Sequence, residues 1–300
     1  MRVGGIGIGN MGWPMAACLL RAGFELCVHD SRPGHEAAFA REVGGAAASL
    51  DALVAESEAI ITILPTSAVV AEVMDRVLPA LRPGTLLIEM TSGVPAVTRA
   101  LAERAARAGC AMIDAPVSGG VARAETGQLA IMVGGADADI ARATPLLEAM
   151  GSRLLRTGPI GSGPAMKALN NLVSAGGFLI GIEALLIGQR WGLDPATMVD
   201  VLNVSSGVNN STQGKFAQHV LSRRFASGFG LELMAKDLGV ALEIAHASGT
   251  PAPFAALCRE LWMAAAASLG PGQDHTAMAK FSERLAGTEL RAAATEGEKT

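Results

Sequence analysis

The chain opens with Arg2-Val3-Gly4-Gly5-Ile6-Gly7-Ile8-Gly9-Asn10-Met11-Gly12, an apolar run that breaks into alternating glycines just before the helical segment Trp13-Pro14-Met15-Ala16. No other stretch limits the fold as tightly. A strand must end, turn within a few residues and enter a helix, and glycine is the residue that tolerates the backbone angles and close approaches involved. Gly7 is placed to permit the turn, Gly9 to let a phosphate approach the main chain, and Gly12 to let helix and strand pack. The N–H groups at the helix start then form an anion site. A second apolar strand over 24–28 leads to Asp30, 18 positions after Gly12. At that spacing a carboxylate accepts hydrogen bonds from a ribose. Strand, glycine turn, helix, strand and acid together predict a dinucleotide site made by Gly7, Ile8, Gly9, Asn10, Met11, Gly12 and Asp30. Asp30 repels a 2′-phosphate, which favours NAD over NADP, although Arg32 stands close by.

The pattern continues through apolar segments at 59–65, 85–90, 111–116 and 129–135, most of them separated by helical stretches. Near-continuous apolar strands alternating with helices predict a parallel sheet covered on both faces. Ligands of such sheets bind beyond the carboxyl ends of the strands. That rule singles out the loops Leu64-Pro65-Thr66, Thr91-Ser92-Gly93 and the segment from Asp114 to Gly120. In the last of these, Ser118, Gly119 and Gly120 offer a hydroxyl and backbone N–H groups to a carboxylate; the alternative is a plain turn after a strand.

From Gly163 the sequence is helical. One helix is predicted over about 164–191, followed by a helix started by Asp194-Pro195 and others at about 232–247 and 253–269. Between Gly158 and Gln189 the only cation is Lys167. A charge on an apolar helix is costly unless it has a partner or a task. Asn171 lies four residues on and Ser174 another turn along, so the three share a face. If that face meets the mouth of the nucleotide fold, Lys167 can take and return a hydroxyl proton during hydride transfer.

Composition narrows the remaining classes. The net charge is −4, and no run of Lys and Arg interleaved with aromatics is present, so nucleic acid is not an expected partner. A mean hydropathy of +0.36 hints at membrane, but Gly, Asn, Glu or Arg interrupts the apolar runs, and no span is expected. The glycine-rich start reads as strand, turn and helix in place of a secretory segment, which predicts an intracellular, cytoplasmic protein. Cys18, Cys27, Cys110 and Cys258 lack metal-ligand or disulfide spacing and are expected to be reduced core residues, with no metal site. The Ala- and Leu-rich helical half predicts a homodimer or homotetramer.

Four motifs in this order resemble the beta-hydroxyacid dehydrogenase family, which includes 3-hydroxyisobutyrate dehydrogenase and tartronate semialdehyde reductase. They are GIGNMGWPMA, DAPVSGG at 114–120, GPAMKALNN at 163–171 and the Lys236-Asp237 pair in LMAKDLG. The resemblance covers nearly the whole chain. It implies a Rossmann-type NAD(P)-binding domain over 1–162 and an all-helical substrate and oligomerisation domain over 163–290, joined by the long helix and followed by a polar tail at 291–300. It implies an NAD(P)-dependent oxidoreductase interconverting a small 3-hydroxy acid and its semialdehyde or ketone by hydride transfer. Lys167 is then the acid/base, and Asn171 assists it in placing substrate. Ser118, Gly119, Gly120 and Asn170 bind the substrate, the first three at its carboxylate. Leu64, Pro65, Ser92 and Lys236 lie at the cofactor, with Asp237 in a positioning role.

Ser92 stands where relatives often carry a cofactor-contacting threonine. Asp30-Ser31 replaces an Asn-Arg pair suited to NADP, which again favours NAD. The segment 208–216, VNNSTQGKF, follows no pattern tied to a nameable substrate and leaves the substrate's substituent open. An imine reductase on the same fold generally lacks the lysine at this position, and a non-catalytic nucleotide-binding module has lost it; Lys167 with Asn171 argues against both.

Overall fold

The computed structural model describes residues 1–292, so the expected tail at 291–300 falls almost wholly outside the described residues. The chain forms two compact units, Met1–Lys167 and a second from Ala168 onward, which divide within the long helix Ser162–Arg190.

The first unit is built on nine strands: β1 (Arg2–Ile6), β2 (Glu25–His29), β3 (Ala46–Ala47), β4 (Ala59–Thr62), β5 (Leu86–Glu89), β6 (Ala111–Asp114), β7 (Val117–Ser118), β8 (Leu129–Gly134) and β9 (Gly151–Gly158). They lie in the order β3-β2-β1-β4-β5-β6-β8-β7, with β9 paired to β8. From β3 to β6 every neighbouring pair is parallel. Successive residues of a strand point to opposite faces, and both faces here are buried. Ile61, Ile88 and Ile113 enter one core with Val28, Phe39 and Leu147. Their neighbours Ile60, Leu87 and Met112 enter the other with Leu53, Met74 and Leu101. This explains why the strands read as unbroken apolar runs.

The expected all-parallel sheet needs one correction. β8 runs antiparallel to both β6 and β7. A parallel return requires a helix long enough to cross the sheet, and the helix available, Gly120–Glu125, has 6 residues. At about 1.5 Å per residue it spans about 9 Å, roughly half of what a strand as long as β8 needs. The parallel pattern resumes only at β9, after the 14-residue helix Asp137–Met150.

The second unit is all helical. It comprises the remainder of Ser162–Arg190, then Pro195–Asn203, Asn210–Gly214, a π turn at Phe216–Leu221, Leu231–Ala247, Pro253–Leu269 and Met278–Ala286. Asp194 caps the second of these as expected, its side chain accepting from Thr197 N at 2.9 Å. Phe178, Ile182 and Leu185 of the long helix pack in one core with Phe216, Trp262 and Met278. This 29-residue helix is long and apolar enough to cross a membrane by length and composition alone, which the interrupted apolar runs of the sequence did not suggest. Its most buried side is the core of the helical unit.

Candidate active site

The sheet order reverses at β1, which has β2 on one side and β4 on the other. In open sheets of this kind the crevice beyond such a reversal receives the ligand. The glycine turn lies there. Gly7 has φ +89°, and a Cβ on it would overlap the Ile63 carbonyl; one on Gly12 would overlap the Gly7 carbonyl. Gly9 is different. A Cβ there would find its nearest neighbour, Arg32 Nη2, at 4.0 Å. The turn is therefore closed on its inner side by Gly7 and Gly12 and open above Gly9. Trp13 N donates to Gly9 O at 2.9 Å and starts the helix Gly12–Arg21, whose N-terminal N–H groups face that opening. Ile8 is buried, Met11 half-buried and Asn10 exposed. A cradle shaped this way fits a pyrophosphate.

Asp30 closes the far end. Its Oδ2 accepts from Ile8 N at 3.0 Å, and its Oδ1 accepts from Arg32 N at 3.0 Å and Arg32 Nε at 2.9 Å. Burial pushes its pKa up, but hydrogen bonds from the Arg32 side chain and from the Arg32 and Ile8 backbone, with the guanidinium charge, outweigh this and hold it at about 2. The acid is thus ionised and oriented. Arg32 and His35 also bond to the Ile8 carbonyl, at 3.3 and 2.9 Å. They line a cleft of about 430 Å³ together with Gly9, Asn10, Trp13 and Glu125.

Across the reversal, Leu64 N donates to Thr91 Oγ1 at 3.0 Å, and Thr91 N donates to Glu89 Oε1 at 2.7 Å. Thr91 is buried and staples the two loops together; Ser92 beside it is half-buried and Pro65 exposed. Sequence reasoning placed Ser92 at the cofactor and gave Thr91 no role.

Ser118, Gly119 and Gly120 do not form the open loop expected of them. Ser118 ends β7, paired with Ala130, and Gly120 begins the short helix. Gly119 and Gly120 have φ +139° and +71°, so the strand-to-helix corner needs glycine at both places. Asp114, which starts the same motif, has a structural task that its sequence position did not disclose. Fully buried, it accepts from Gly161 N and, at 2.9 Å, from Gly163 N, the donors around the start of the long helix. Burial raises its pKa to about 6, and these N–H groups oppose the rise. Asp114 therefore anchors the helix that carries Lys167, and no Cβ fits at Gly163 beside it.

On that helix Lys167 and Asn171 are both buried, at 7% and 5% exposed. Asn171 Nδ2 donates to Asp237 Oδ2 at 2.6 Å, and its Oδ1 accepts from Asn170 Nδ2 at 3.2 Å. A carboxylate only accepts, so Asp237 fixes which way the amide faces. Lys236 Nζ pairs with Asp237 Oδ1 at 3.1 Å. Asp237 thus joins the Lys236 motif to the Asn171 motif, a link invisible in their separate positions. A further cation escaped the sequence reading: Lys215 Nζ donates to Ser174 Oγ at 3.1 Å, one turn beyond Asn171.

Residues 2–158 match the family described as the NAD binding domain of 6-phosphogluconate dehydrogenase, and residues 161–282 match the one described as NAD-binding of NADP-dependent 3-hydroxyisobutyrate dehydrogenase. The chain is 35% identical to a 2-(hydroxymethyl)glutarate dehydrogenase of Eubacterium barkeri, over 97% of each protein. The chain belongs to the beta-hydroxyacid dehydrogenase family. As a beta-hydroxyacid dehydrogenase it is an oxidoreductase with a Rossmann-type unit followed by a helical one. The mitochondrial 3-hydroxyisobutyrate dehydrogenase of Mus musculus is 38% identical over 87% of this chain and 80% of its own. Among solved structures, the 3-hydroxyisobutyrate dehydrogenase of Mycobacterium tuberculosis with L-serine superimposes with a TM-score of 0.85 at 33% identity, covering 94% of this chain and 98% of that one.

Proposed function

We propose that this beta-hydroxyacid dehydrogenase interconverts a small 3-hydroxy acid and its semialdehyde, with NAD as the preferred cofactor and Lys167 as the acid/base. The observation that carries the reading is Lys167 and Asn171 buried on one helix face, with the Asn171 amide held by Asp237. Relatives named for hydroxymethylglutarate and hydroxyisobutyrate support a small hydroxy acid.

A bound nicotinamide supplies the ring carbon that accepts or returns the hydride. Gly7 to Gly12 hold the pyrophosphate, Asp30 the ribose hydroxyls, and the loops at Leu64-Pro65 and Ser92 the remainder. The ionised Asp30 favours NAD, because a 2′-phosphate brings like charge against it. Arg32 pulls the other way. As the carbinol carbon loses hydride, Lys167 takes the hydroxyl proton, and in reverse it returns that proton and stabilises the developing oxyanion. Asn171, with its orientation fixed, and Asn170 position the reacting group. The Ser118 hydroxyl and the N–H groups of Gly119 and Gly120 hold the carboxylate.

An apolar stripe at heptad spacing, Met166, Val173, Ile180 and Ile187, is exposed at 43%, 76%, 57% and 70%. Such a surface supports a homodimer or homotetramer. A screen of short 3-hydroxy acids, followed by NADH and then NADPH absorbance, tests the function. Turnover with NAD is expected. Failure of every acid, with reduction of cyclic imines instead, overturns the reading.

A further inference from the structure

A cavity of about 480 Å³ in the helical unit has no part in the reading above. Arg223, Lys280, Arg284 and Thr288 line it, with the acids Glu283 and Glu289. One wall is the end of the helix Met278–Ala286, and another is the chain just after the π turn Phe216–Leu221. That second wall is strained: Arg223 has φ +62° and Phe225 φ +47°, left-handed angles that side chains seldom adopt. Such strain persists where surrounding contacts over-determine it, and it clusters at ligand sites. The contacts here are charged. Arg223 grips both Glu283 oxygens, Nη2 to Oε2 at 3.0 Å, and its guanidinium carbon stands 4.7 Å from the Phe225 ring centre. Lys280 Nζ lies over the same ring at 4.3 Å.

The charges of the lining do not cancel. Glu283, which is buried, is matched by Arg223 and also accepts from Leu290 N at 2.9 Å. Glu289 has Arg223 Nε at 3.7 Å and Arg291 Nε at 3.8 Å. Two arginines therefore answer two glutamates. Lys280 and Arg284 remain, and among the described residues neither forms an ion pair: Lys280 has the Phe225 ring, and Arg284 Nη1 donates to Ser268 O and Oγ at 3.4 and 3.1 Å. They stand four residues apart on one face of the helix, where like charges repel and cost stability unless an anion joins them. The helix end nearby does not supply one. Its carbonyls at Glu283, Arg284 and Ala286 are taken by Thr288 N, Gly287 N and the Arg190 side chain.

We propose that this cavity binds a small dianion of the phosphate class, free phosphate or a phosphomonoester, between Lys280 and Arg284. Its two charges match the two cations that the glutamates leave over. The planar Arg284 guanidinium donates two parallel bonds to phosphate oxygens, Lys280 adds a point charge, and the Thr288 hydroxyl is a further donor. The volume falls in the range of small-molecule sites, roughly 300–1,000 Å³, and leaves room for a short organic arm beside Phe225. None of these residues belongs to the catalytic or cofactor machinery proposed above, so the site stands or falls apart from the dehydrogenase reading.

The test is isothermal titration at about pH 8, where phosphate esters are doubly charged, with inorganic phosphate and with glycerol 3-phosphate at fixed ionic strength. The native protein should bind one or both saturably; a tighter ester identifies a phosphomonoester site, and a tighter inorganic ion a free-phosphate site. Lys280→Met and Arg284→Met should each weaken binding by roughly 2- to 5-fold, the range for an ion pair open to solvent, and the double variant by roughly 5- to 25-fold. Both changes lie at the surface and should leave the melting temperature nearly unchanged. Arg107→Met, an exposed change in the first unit, should leave binding as it was. The glycine turn is itself an anion site, so binding that survives intact in the double variant belongs there and overturns the proposal. An equal loss in Arg107→Met marks a general charge effect and overturns it too, as does the absence of saturable binding.

Discussion

The two units build their sites in different ways. In the nucleotide unit the backbone shapes the candidate site: Gly7 and Gly12 are required because no Cβ fits, and the groups we propose to hold the cofactor are the N–H groups of a turn and a helix start. In the helical unit the side chains do it, with Asn171, Asp237, Lys236, Ser174 and Lys215 tied together from three separate segments. A backbone site tolerates side-chain changes that leave its path intact. A side-chain site fails when a single partner is lost.

Chemistry at Lys167, where the first unit ends, should separate from cofactor binding. Lys167→Ala is expected to lower kcat by roughly 10²- to 10⁴-fold, the range for losing a general acid/base, while NADH affinity by fluorescence titration stays within about twofold. Unchanged turnover would remove Lys167 from the mechanism, and lost NADH affinity would blur the division itself.

The contrast extends to pH. Asp114 in the first unit has its pKa raised from 3.8 to about 6, so its contribution to stability is fully present below 3.8 and is lost as pH rises through 6. His275 in the second has its pKa lowered from 6.5 to about 4. Burial is the main cause, and the Lys215 charge adds to it against the pull of Asp274. Its contribution is present above pH 6.5 and is lost as pH falls through 4. Each shift corresponds to roughly 3 kcal/mol. Urea unfolding in steps from pH 4 to 6.5 should show the stability difference between native protein and Asp114→Asn falling as pH rises, and that for His275→Gln rising. Slopes of the same sign would break the comparison.

Within the nucleotide unit, Gly12→Ala forces a methyl into the Gly7 carbonyl and should cost roughly 1–3 kcal/mol, as overpacking does. Gly9→Ala meets open space and should leave thermal stability nearly unchanged while weakening dinucleotide binding. Equal melting temperatures for the two variants would refute the division between inner and open sides of the turn. The smallest effect expected is at Asp30. Asp30→Ala should move the NAD:NADP ratio of kcat/KM toward NADP by roughly 10-fold, and equal use of both by the native enzyme would contradict the role given to that carboxylate.

The same contrast explains what could be read early. The glycine turn and Asp30 lie within one βαβ stretch, and their chemistry follows from spacing along the chain. The helices Leu231–Ala247 and Pro253–Leu269 fall within a residue of their expected limits, because apolar periodicity and terminal prolines are local signals. The antiparallel β8 was not legible, since it depends on the length of a helix whose existence no periodicity announced. Thr91 and Asp114 were hidden for another reason. Each looks like an ordinary residue at a strand end until its partner, 27 positions away at Leu64 or 49 at Gly163, is folded against it.

By itself the sequence determined a dinucleotide turn, a run of buried parallel strands, a helical second half and a lone lysine in register with an asparagine, because each is written in residues a few positions apart. Only the tertiary structure decided which way Asn171 faces and what stands beyond it. Those answers come from Asp237, 66 residues away, and from Lys215 on Ser174, 41 residues away. A hydrogen bond acts over about 3 Å of space whatever the separation in sequence, and the packing of the helical unit brought these groups within that reach.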